Sequence, residues 1–538
     1  MSNDKAVSTP VTNIFVLMLE NHSFDNMFAM SGIEGIRAAT VSDSNSHDGV
    51  TYNVRKGAPS SMTTDPGHEF PDVLEQLCGT EAAAEYVWKY KKDSDHFRGS
   101  ACSAYPEINL SGFATDYATS RSEETGQPAA EHVGDIMACF DTPTQLPVIY
   151  QLATEFAICD AWYASMPGPT WPNRFFVHGA SSSGMDRSPN FKEEAEWLTV
   201  DGFTYSNGSI FQALDKLDPE KRLWRLYQDK ENAFTDQPSH RIQGGWISQV
   251  ASLKGVSLLD VHSLSRFKDD LYEENGAHYR DNHPYTFIEP NFGASFFAWQ
   301  NEQEHGPNYR GGSSQHPEDN PYGGEALIKF VYETIFNSPL CDTSLLIIVY
   351  DEHGGFYDSE PPVCAVPPGD AEPCETNPLN SNSFKFDRSG VRVPAVIVSP
   401  LIPKGTVDHT VYDHSSILAT LERKLGMDAL TARDRNANDL WHLLSNAEPR
   451  QDIPKTLNSP AAIPTPPPIP IDGLDNKNLP ESGNMIGFLQ VLLKAEIELA
   501  ERDRAKILAD FGQIVTHSHA VKYVEKMWGK VEAAMKDR

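Results

Sequence analysis

The feature that most constrains this chain is a set of short, continuously apolar runs that end directly in polar residues. The runs comprise residues 14–19, 285–288, 345–350 and 393–399. Runs of this kind, rich in Val, Ile and Leu, are typical of interior strands of a largely parallel sheet, because helices cover both faces of such strands. The sequence therefore predicts a buried sheet at the centre of the fold.

Helical patterns lie between these runs. They cover residues 147–156, 324–336 and 415–425. Alternation of strands with helices is typical of a layered α/β domain. In open α/β sheets, ligands bind beyond the carboxyl ends of the strands, so residues at those ends are the first candidates for function.

Acidic pairs stand at two of the predicted strand ends. Glu20 and Asn21 follow the first run, and Asp351 and Glu352 follow the third. Three carboxylates and one amide oxygen suit a hard or borderline divalent ion, with Ca, Mg, Mn, Zn and Fe all left open. A single acidic pair after a strand is also typical of a helix cap or a solvated turn. We expect one ion, because the set completes one shell without shared ligands.

Length and local composition predict the domain organisation. A chain of 538 residues is long for one simple core, so residues 1–453 are predicted to form one large catalytic domain. Residues 454–480 are predicted to be a Pro-rich linker, since 461–472 read AAIPTPPPIPID. Residues 481–538 are predicted to form a C-terminal helical region, either a small cap on the main domain or a helix for a partner or membrane.

Charge and hydrophobic patterning exclude several classes of function. A net charge of −31 disfavours nucleic acid as a partner and disfavours rest on an anionic membrane. The sequence has no stretch apolar enough to span a bilayer and no signal-peptide pattern at its start. We expect a soluble chain, cytoplasmic as given, or secreted or periplasmic if a leader has been removed.

Seven cysteines are few for this length, and none form a CxxC pair. Two pairs are close in sequence, Cys364 with Cys374 and Cys78 with Cys102. Either pair is compatible with a disulfide in an oxidising compartment, and the odd total leaves at least one thiol unpaired within the chain.

The segment 165–174 reads as a constrained loop that enters a helix, with Thr170 near the N-cap and Pro172 in the first turn. Backbone N–H groups at a helix start face an anion, and the helix dipole favours negative charge there. Threonine is also a common N-cap, and the local pattern by itself favours that interpretation. Asn173, one turn on, has an amide that could donate to a phosphate oxygen.

Several histidines are candidates for proton transfer. His68 and His316 are the best candidates for the acid that protonates a leaving group, since each adjoins Gly or Pro in a predicted loop. His178 and His353 are less favoured, and His414 is expected to be structural. Spacing alone does not choose among them.

In this order, these segments resemble the phosphoesterase family of bacterial and plant non-specific phospholipases C and related acid phosphatases. The resemblance covers residues 12 to 430. The resembling stretches are LENHSFDNMF (19–28), DPGHEF (65–70), ASMPGPTWPNRFFVHGA (164–180), VYDEHGGFYD (349–358), RVPAVIVSP (392–400) and YDHSSILATLE (412–422).

The resemblance implies an alkaline-phosphatase-like three-layer α/β/α sandwich with a mostly parallel central sheet. It implies an ion held by both acidic pairs and by Thr170, whose hydroxyl would be the nucleophile and form a phosphothreonine intermediate. It also implies a phospholipid or small phosphate ester as substrate, with peripheral and transient membrane contact.

Two departures from the family pattern stand out. His22 occupies a position where the family has arginine, and we expect it to affect packing rather than chemistry. Residues 184–312 match no pattern of the family, so we expect substrate selectivity to reside there. Phospholipase C is the leading hypothesis, a phosphatase or phosphodiesterase on soluble esters is the alternative, and a non-catalytic binding protein comes third.

Overall fold

The structure is a computed structural model. It describes residues 6–91, 104–119, 127–190, 202–230, 248–293, 312–374, 376–460, 478–479, 483–500 and 504–536. The whole Pro-rich stretch 461–472, and parts of the 184–312 segment, lie outside the described residues.

Twelve strands are present in the described part of the chain. They are β1 (Asn13–Leu19), β2 (Ser44–His47), β3 (Val50–Asn53), β4 (Arg55–Lys56), β5 (Ala138–Cys139), β6 (Ala157–Cys159), β7 (Trp224–Gln228), β8 (Val261–Ser263), β9 (Tyr285–Glu289), β10 (Ser344–Tyr350), β11 (Ala395–Val398) and β12 (Thr406–Asp408).

Eight of these strands form the central sheet, in the order β12-β6-β11-β10-β1-β9-β7-β8. All of its neighbours run parallel except at β11, which is antiparallel to both β10 and β6. The prediction of a mostly parallel sheet is therefore confirmed. One run differs from the expectation, because the strand at 393–399 is shorter than predicted and points the other way.

The helices surround this sheet. The α-helices are α1 (Phe24–Phe28), α2 (Phe70–Cys78), α3 (Thr80–Lys91), α4 (Phe113–Thr119), α5 (Thr142–Gln145), α6 (Pro147–Glu155), α7 (Thr170–Gly179), α8 (Ile210–Leu217), α9 (Phe267–Tyr272), α10 (Ala277–Asn282), α11 (Tyr322–Phe336), α12 (Ser415–Leu425), α13 (Ala432–Asn436), α14 (Asn484–Leu499), α15 (Arg504–Phe511) and α16 (His517–Lys536).

Aromatic contacts show that helices cover both faces of the sheet. Phe15 of β1 contacts Phe267 of α9, with ring centroids 6.0 Å apart. Phe287 of β9 lies opposite Val16, the next residue along β1, and contacts His178 of α7 at 4.7 Å. Because successive residues of a strand point to opposite faces, α9 and α7 lie on different sides. The three-layer α/β/α architecture is confirmed.

The C-terminal helices pack on the main domain. In α14, Phe488 contacts Trp171, the second residue of α7, and it also contacts Phe292. The Trp171 indole N–H donates to the Asn484 side-chain oxygen at 2.7 Å. The start of α14 therefore lies against the start of α7. In the part of the chain that the structure describes, no helix is long and apolar enough to cross a membrane.

Neither cysteine pair suggested by sequence proximity forms a disulfide. Cys78 is a free, buried thiol and Cys364 is a free, exposed one. Cys374 is disulfide-bonded. Proximity in sequence was a poor guide here, because a disulfide needs two Cβ atoms at close range in the folded chain.

Candidate active site

The two acidic pairs meet at one edge of the sheet. Strands β1 and β10 are parallel neighbours with Leu19 opposite Tyr350, so Glu20 and Asp351 leave the sheet side by side. The Asn21 backbone N–H donates to Asp351 Oδ1 at 3.2 Å. Glu20, Asn21, Asp351 and Glu352 are all fully buried. The structure thus brings together all four residues that the strand-end pattern singled out.

Three buried carboxylate oxygens of this group have no hydrogen-bond partner among the described residues. Both carboxylate oxygens of Glu20, and Oε1 of Glu352, accept no hydrogen bond among the described residues. Burial raises the pKa of Glu20 to about 8, although the Arg174 guanidinium lowers it. Burial likewise raises the pKa of Asp351 to about 6. Buried carboxylate oxygens without partners are costly, and a divalent cation is a group that would satisfy them. These ligand oxygens therefore fit a cation that is coordinated by oxygen.

Two glycines allow the loops around this group to approach one another. Gly354 has φ +62°, and a Cβ there would lie 2.3 Å from the Asn21 carbonyl oxygen. Gly355 has φ +74°, and a Cβ there would lie 2.7 Å from the Gly67 carbonyl oxygen. Any side chain at either position would push these loops apart, and the left-handed backbone also favours glycine.

Thr170 is the first residue of α7, not its cap. Pro169 occupies the N-cap position, and no side chain caps the helix there. The Thr170 hydroxyl instead donates to Asn21 Oδ1 at 3.4 Å, and the residue is 1% exposed. The local pattern had favoured a capping threonine, and that interpretation is wrong. The hydroxyl is directed at the acidic group.

Asn173 braces the loop before α7. Its amide donates to the carbonyls of Met166 at 3.2 Å, Gly168 at 2.9 Å and Pro169 at 3.1 Å. Its side-chain oxygen accepts from the Met166 N–H at 3.0 Å. The amide is therefore engaged with the loop, whereas the sequence suggested a contact with a phosphate oxygen. Asn173 fixes the backbone that carries Thr170.

Arg174 is the residue that sequence reasoning missed. It is 2% exposed, its Nε donates to Asp351 Oδ2 at 2.8 Å, and its Nη1 lies 3.6 Å from Glu289 Oε1. Four residues after Thr170, it lies on the same helix face. Glu289 ends β9, so a third strand end contributes a carboxylate. The sequence signal that could have identified Arg174 is a basic residue one helical turn after the candidate nucleophile.

A second group of ionisable side chains adjoins the first. Asp65, His316 and Glu318 each place a ligand atom within 4.8 Å of the others, a possible acidic and histidine metal site. The rings of His68 and His316 lie 6.3 Å apart. The two histidines predicted as acids are therefore neighbours.

The charge states of these two histidines differ. Burial by itself would lower the pKa of His68, but Asp65, Glu352 and further carboxylates raise it to about 10. Burial holds the pKa of His316 well below its usual value, and His68 lowers it further. At neutral pH, His68 therefore carries the proton and His316 is neutral.

The remaining histidines hold structure together. His414 lies 2.6 Å from the Asp351 carbonyl oxygen through Nε2, and His353 lies 2.7 Å from Gln76 Oε1 through Nε2. His178 is buried among aromatic rings, which together with Arg174 lowers its pKa to about 3. His22 stacks on Phe356 with ring centroids 5.1 Å apart, a packing contact.

Comparison with known proteins places these observations in a family. The model of the phosphoesterase family matches residues 11–428. Non-specific phospholipase C5 of Arabidopsis thaliana is 32% identical to this chain over 85% of it and 78% of its own length. The corresponding values are 31%, 84% and 76% for non-specific phospholipase C3 of the same plant. For phospholipase C B of Mycobacterium tuberculosis they are 26%, 84% and 81%.

A solved structure of a protein in the alkaline phosphatase superfamily from Vibrio parahaemolyticus aligns with 68% of this chain and 81% of its own, at 13% identity and a TM-score of 0.29. The family match extends over most of the chain, and it agrees with the resemblance carried by the sequence motifs. The chain therefore belongs to the phosphoesterase family and is a phosphoric ester hydrolase.

Proposed function

We propose that the protein is a metal-dependent phospholipase C. It would hydrolyse glycerophospholipids to diacylglycerol and a phosphorylated head group through a phosphothreonine intermediate. The observation that carries the proposal is Glu20, whose two carboxylate oxygens are fully buried without a hydrogen-bond donor among the described residues. The names of the relatives support phospholipid as the substrate class.

One divalent ion would be held by Glu20, Asn21, Asp351, Glu352 and Thr170. When bound, such an ion supplies positive charge to phosphate oxygens and lowers the pKa of a coordinated hydroxyl. Arg174 keeps Asp351 in place from the opposite side, with its Nε 2.8 Å from Asp351 Oδ2. A fixed, water-excluded arrangement of charges stabilises the transition state without reorganisation during the reaction.

Thr170 is the nucleophile in this mechanism. Its oxygen loses its proton and attacks phosphorus, the diacylglycerol oxygen leaves on the opposite side, and the head-group phosphate stays on Thr170 until water hydrolyses that bond and releases the phosphorylated head group. The start of α7 contributes backbone N–H groups and a favourable dipole for the phosphate. Asn173 is a positioning residue, since it fixes three carbonyls of the preceding loop.

His68 supplies the proton to the leaving alkoxide. Its Nδ1–H donates to the Pro66 carbonyl at 3.0 Å, which leaves Nε2 for the substrate. The surrounding carboxylates keep the ring protonated, with a pKa of about 10. His316, neutral and beside it, is suited to accept a proton or to contact the phosphate.

The experiment compares two threonines at helix starts. Thr431 is a true cap, because its hydroxyl accepts from the Arg433 N–H at 3.0 Å. Thr431→Ala should lose about 1 kcal/mol of stability and keep its turnover. Thr170→Ala should remain folded and still hold the ion through the other four ligands, but lose turnover of phosphatidylcholine by orders of magnitude. Thr170→Ser should retain part of the activity, because the same oxygen is available.

Two further measurements complete the test. Mass spectrometry of enzyme acid-quenched during turnover of phosphatidylcholine should find a phosphocholine group on the peptide that contains Thr170. Release of phosphocholine from phosphatidylcholine should exceed hydrolysis of p-nitrophenyl phosphate. Near-parent turnover by folded Thr170→Ala would rule out the threonine mechanism, and exclusive hydrolysis of the soluble monoester would identify a phosphatase.

A further inference from the structure

A buried series of polar contacts runs from the acidic group into the protein interior. His353 lies between Glu352 and Gln76, with its Nδ1 3.3 Å from Glu352 Oε2 and its Nε2 2.7 Å from Gln76 Oε1. The Gln76 amide nitrogen continues to the Gly67 carbonyl at 2.6 Å and to Asp116 Oδ2 at 2.7 Å. Each of the four side chains is at most 2% exposed, so solvent does not compete for these bonds.

The Gly67 carbonyl determines which atoms donate and which accept in these contacts. A backbone carbonyl only accepts, so the Gln76 atom that faces it must be the amide nitrogen. The amide oxygen of Gln76 therefore faces His353. Because that oxygen also only accepts, His353 Nε2 must carry a hydrogen. This reasoning holds whether or not Asp116 is ionised.

The same contacts decide which oxygen of Glu352 remains for a ligand. Oε2 accepts the Gly354 N–H at 2.7 Å and faces His353 Nδ1. Oε1 is buried and has no hydrogen-bond partner in the described part of the chain. The His353 ring is further confined by Phe113, which lies edge-on to it at 6.3 Å. With its imidazole held by Gln76 and packed against Phe113, His353 occupies the space beside Glu352 Oε2 and restricts the orientation of that carboxylate.

We propose that Gln76 is a positioning residue for the cation site. By accepting from His353 it orients the imidazole, which in turn presents Glu352 Oε1 to the ion. The inference rests on the proposed function, because it assigns Glu352 as an ion ligand. Partners behind a metal ligand of this kind typically alter metal affinity by about 10–100-fold when they are lost.

Two substitutions separate this role from simple bracing of the fold. Gln76→Met removes both the acceptor for His353 and the donors to Gly67 and Asp116. Gln76→Glu keeps an acceptor for His353 but places a carboxylate against the Gly67 carbonyl and Asp116. Stability should therefore fall at least as much in Gln76→Glu as in Gln76→Met. Ion affinity should follow the opposite order, weakened about 10–100-fold in Gln76→Met and close to the parent in Gln76→Glu.

Asn13 provides a matched control at the start of β1, at the far end of the strand from Glu20. It is buried, and its amide donates to the carbonyls of His283 at 2.8 Å and Tyr279 at 3.4 Å. Asn13→Leu should weaken the packing of β1 against the segment before β9 without touching Gln76 or His353. It should lower stability and leave ion affinity unchanged.

Calorimetric titration of chelator-treated protein with Ca²⁺, Mg²⁺, Mn²⁺ and Zn²⁺ in turn measures the affinity, and thermal denaturation measures the stability. At saturating ion, Gln76→Met should recover most of the parent kcat. If Gln76→Met does not fold, Gln76→Asn should show the same loss of ion affinity, because its shorter side chain moves the acceptor oxygen away from His353.

Parent-like affinity in Gln76→Met, or an equal loss in Gln76→Glu, would overturn the positioning role and leave the proposed function standing. A parent protein that binds none of these four ions and no Fe²⁺ would overturn the proposed function itself, and the positioning role with it.

Discussion

Replacing Gly487 with alanine should disturb the start of the nucleophile helix from a position in the C-terminal region. Gly487 is buried in α14, and a Cβ there would lie 2.1, 2.5 and 2.7 Å from three atoms of the Trp171 ring. Carbon atoms in contact are about 3.5–4.0 Å apart, so the ring has to retreat by more than about 1 Å. Trp171 directly follows Thr170, and its movement displaces the proposed nucleophile.

The size of the effect follows from two opposing contributions. Overpacking a buried site typically costs about 1–3 kcal/mol. Alanine in place of a helical glycine returns about 1 kcal/mol through helix propensity. Gly529 in α16 is the matched control, because it is exposed and a Cβ there would meet nothing within 4 Å. Gly529→Ala gains helix propensity without any overpacking. The free energies of unfolding of the two variants should therefore differ by the overpacking cost, about 1–3 kcal/mol.

Scanning calorimetry and steady-state kinetics test this prediction together. An unfolding entropy of about 2.1 cal/mol/K per residue makes 1 kcal/mol equal to about 1 °C in Tm for a chain of 538 residues. Gly487→Ala should therefore melt about 1–3 °C below Gly529→Ala and lose kcat, whereas Gly529→Ala should keep the parent kcat. Equal Tm and kcat values in the two variants would refute the contact between Trp171 and α14 as the structure has it.

Two further predictions concern buried charges. Arg174→Met leaves Asp351 and Glu289 without their cationic partner. The chelator-treated variant should therefore lose about 3–5 kcal/mol of stability. In thermal denaturation, added ion should stabilise this variant more than it stabilises the parent. An ion-independent loss would argue against a cation at Asp351. Glu325 is buried and accepts from the N–H groups of Val148 and Ile149; burial raises its pKa from 4.5 to about 8. Because the folded pKa lies above the unfolded value, its contribution is fully present below about pH 4.5 and is lost as the pH rises through 8. Urea midpoints between pH 5 and 9 should fall less steeply in Glu325→Gln, and identical slopes would show that Glu325 does not titrate.

The buried sheet and the ends of two of its strands could be predicted from sequence patterns. Continuous apolar runs depend only on neighbours along the chain, and they placed β1 and β10 correctly, with Glu20 and Asp351 directly after them. Because parallel strands deliver their carboxyl ends to one edge, adjacency of the two acidic pairs followed from topology alone. Motif resemblance supplied the family.

The partners of these residues, in contrast, could be read only from the folded protein. Asp351 meets Arg174 across 177 positions of sequence, and His353 meets Gln76 across 277. The Asn173 amide donates to carbonyls of its own loop, and Cys78 and Cys364 are free thiols, features that the sequence patterns left open. Local patterns report periodicity and turn chemistry, whereas side-chain partners across the fold depend on packing geometry, which no short stretch of sequence contains.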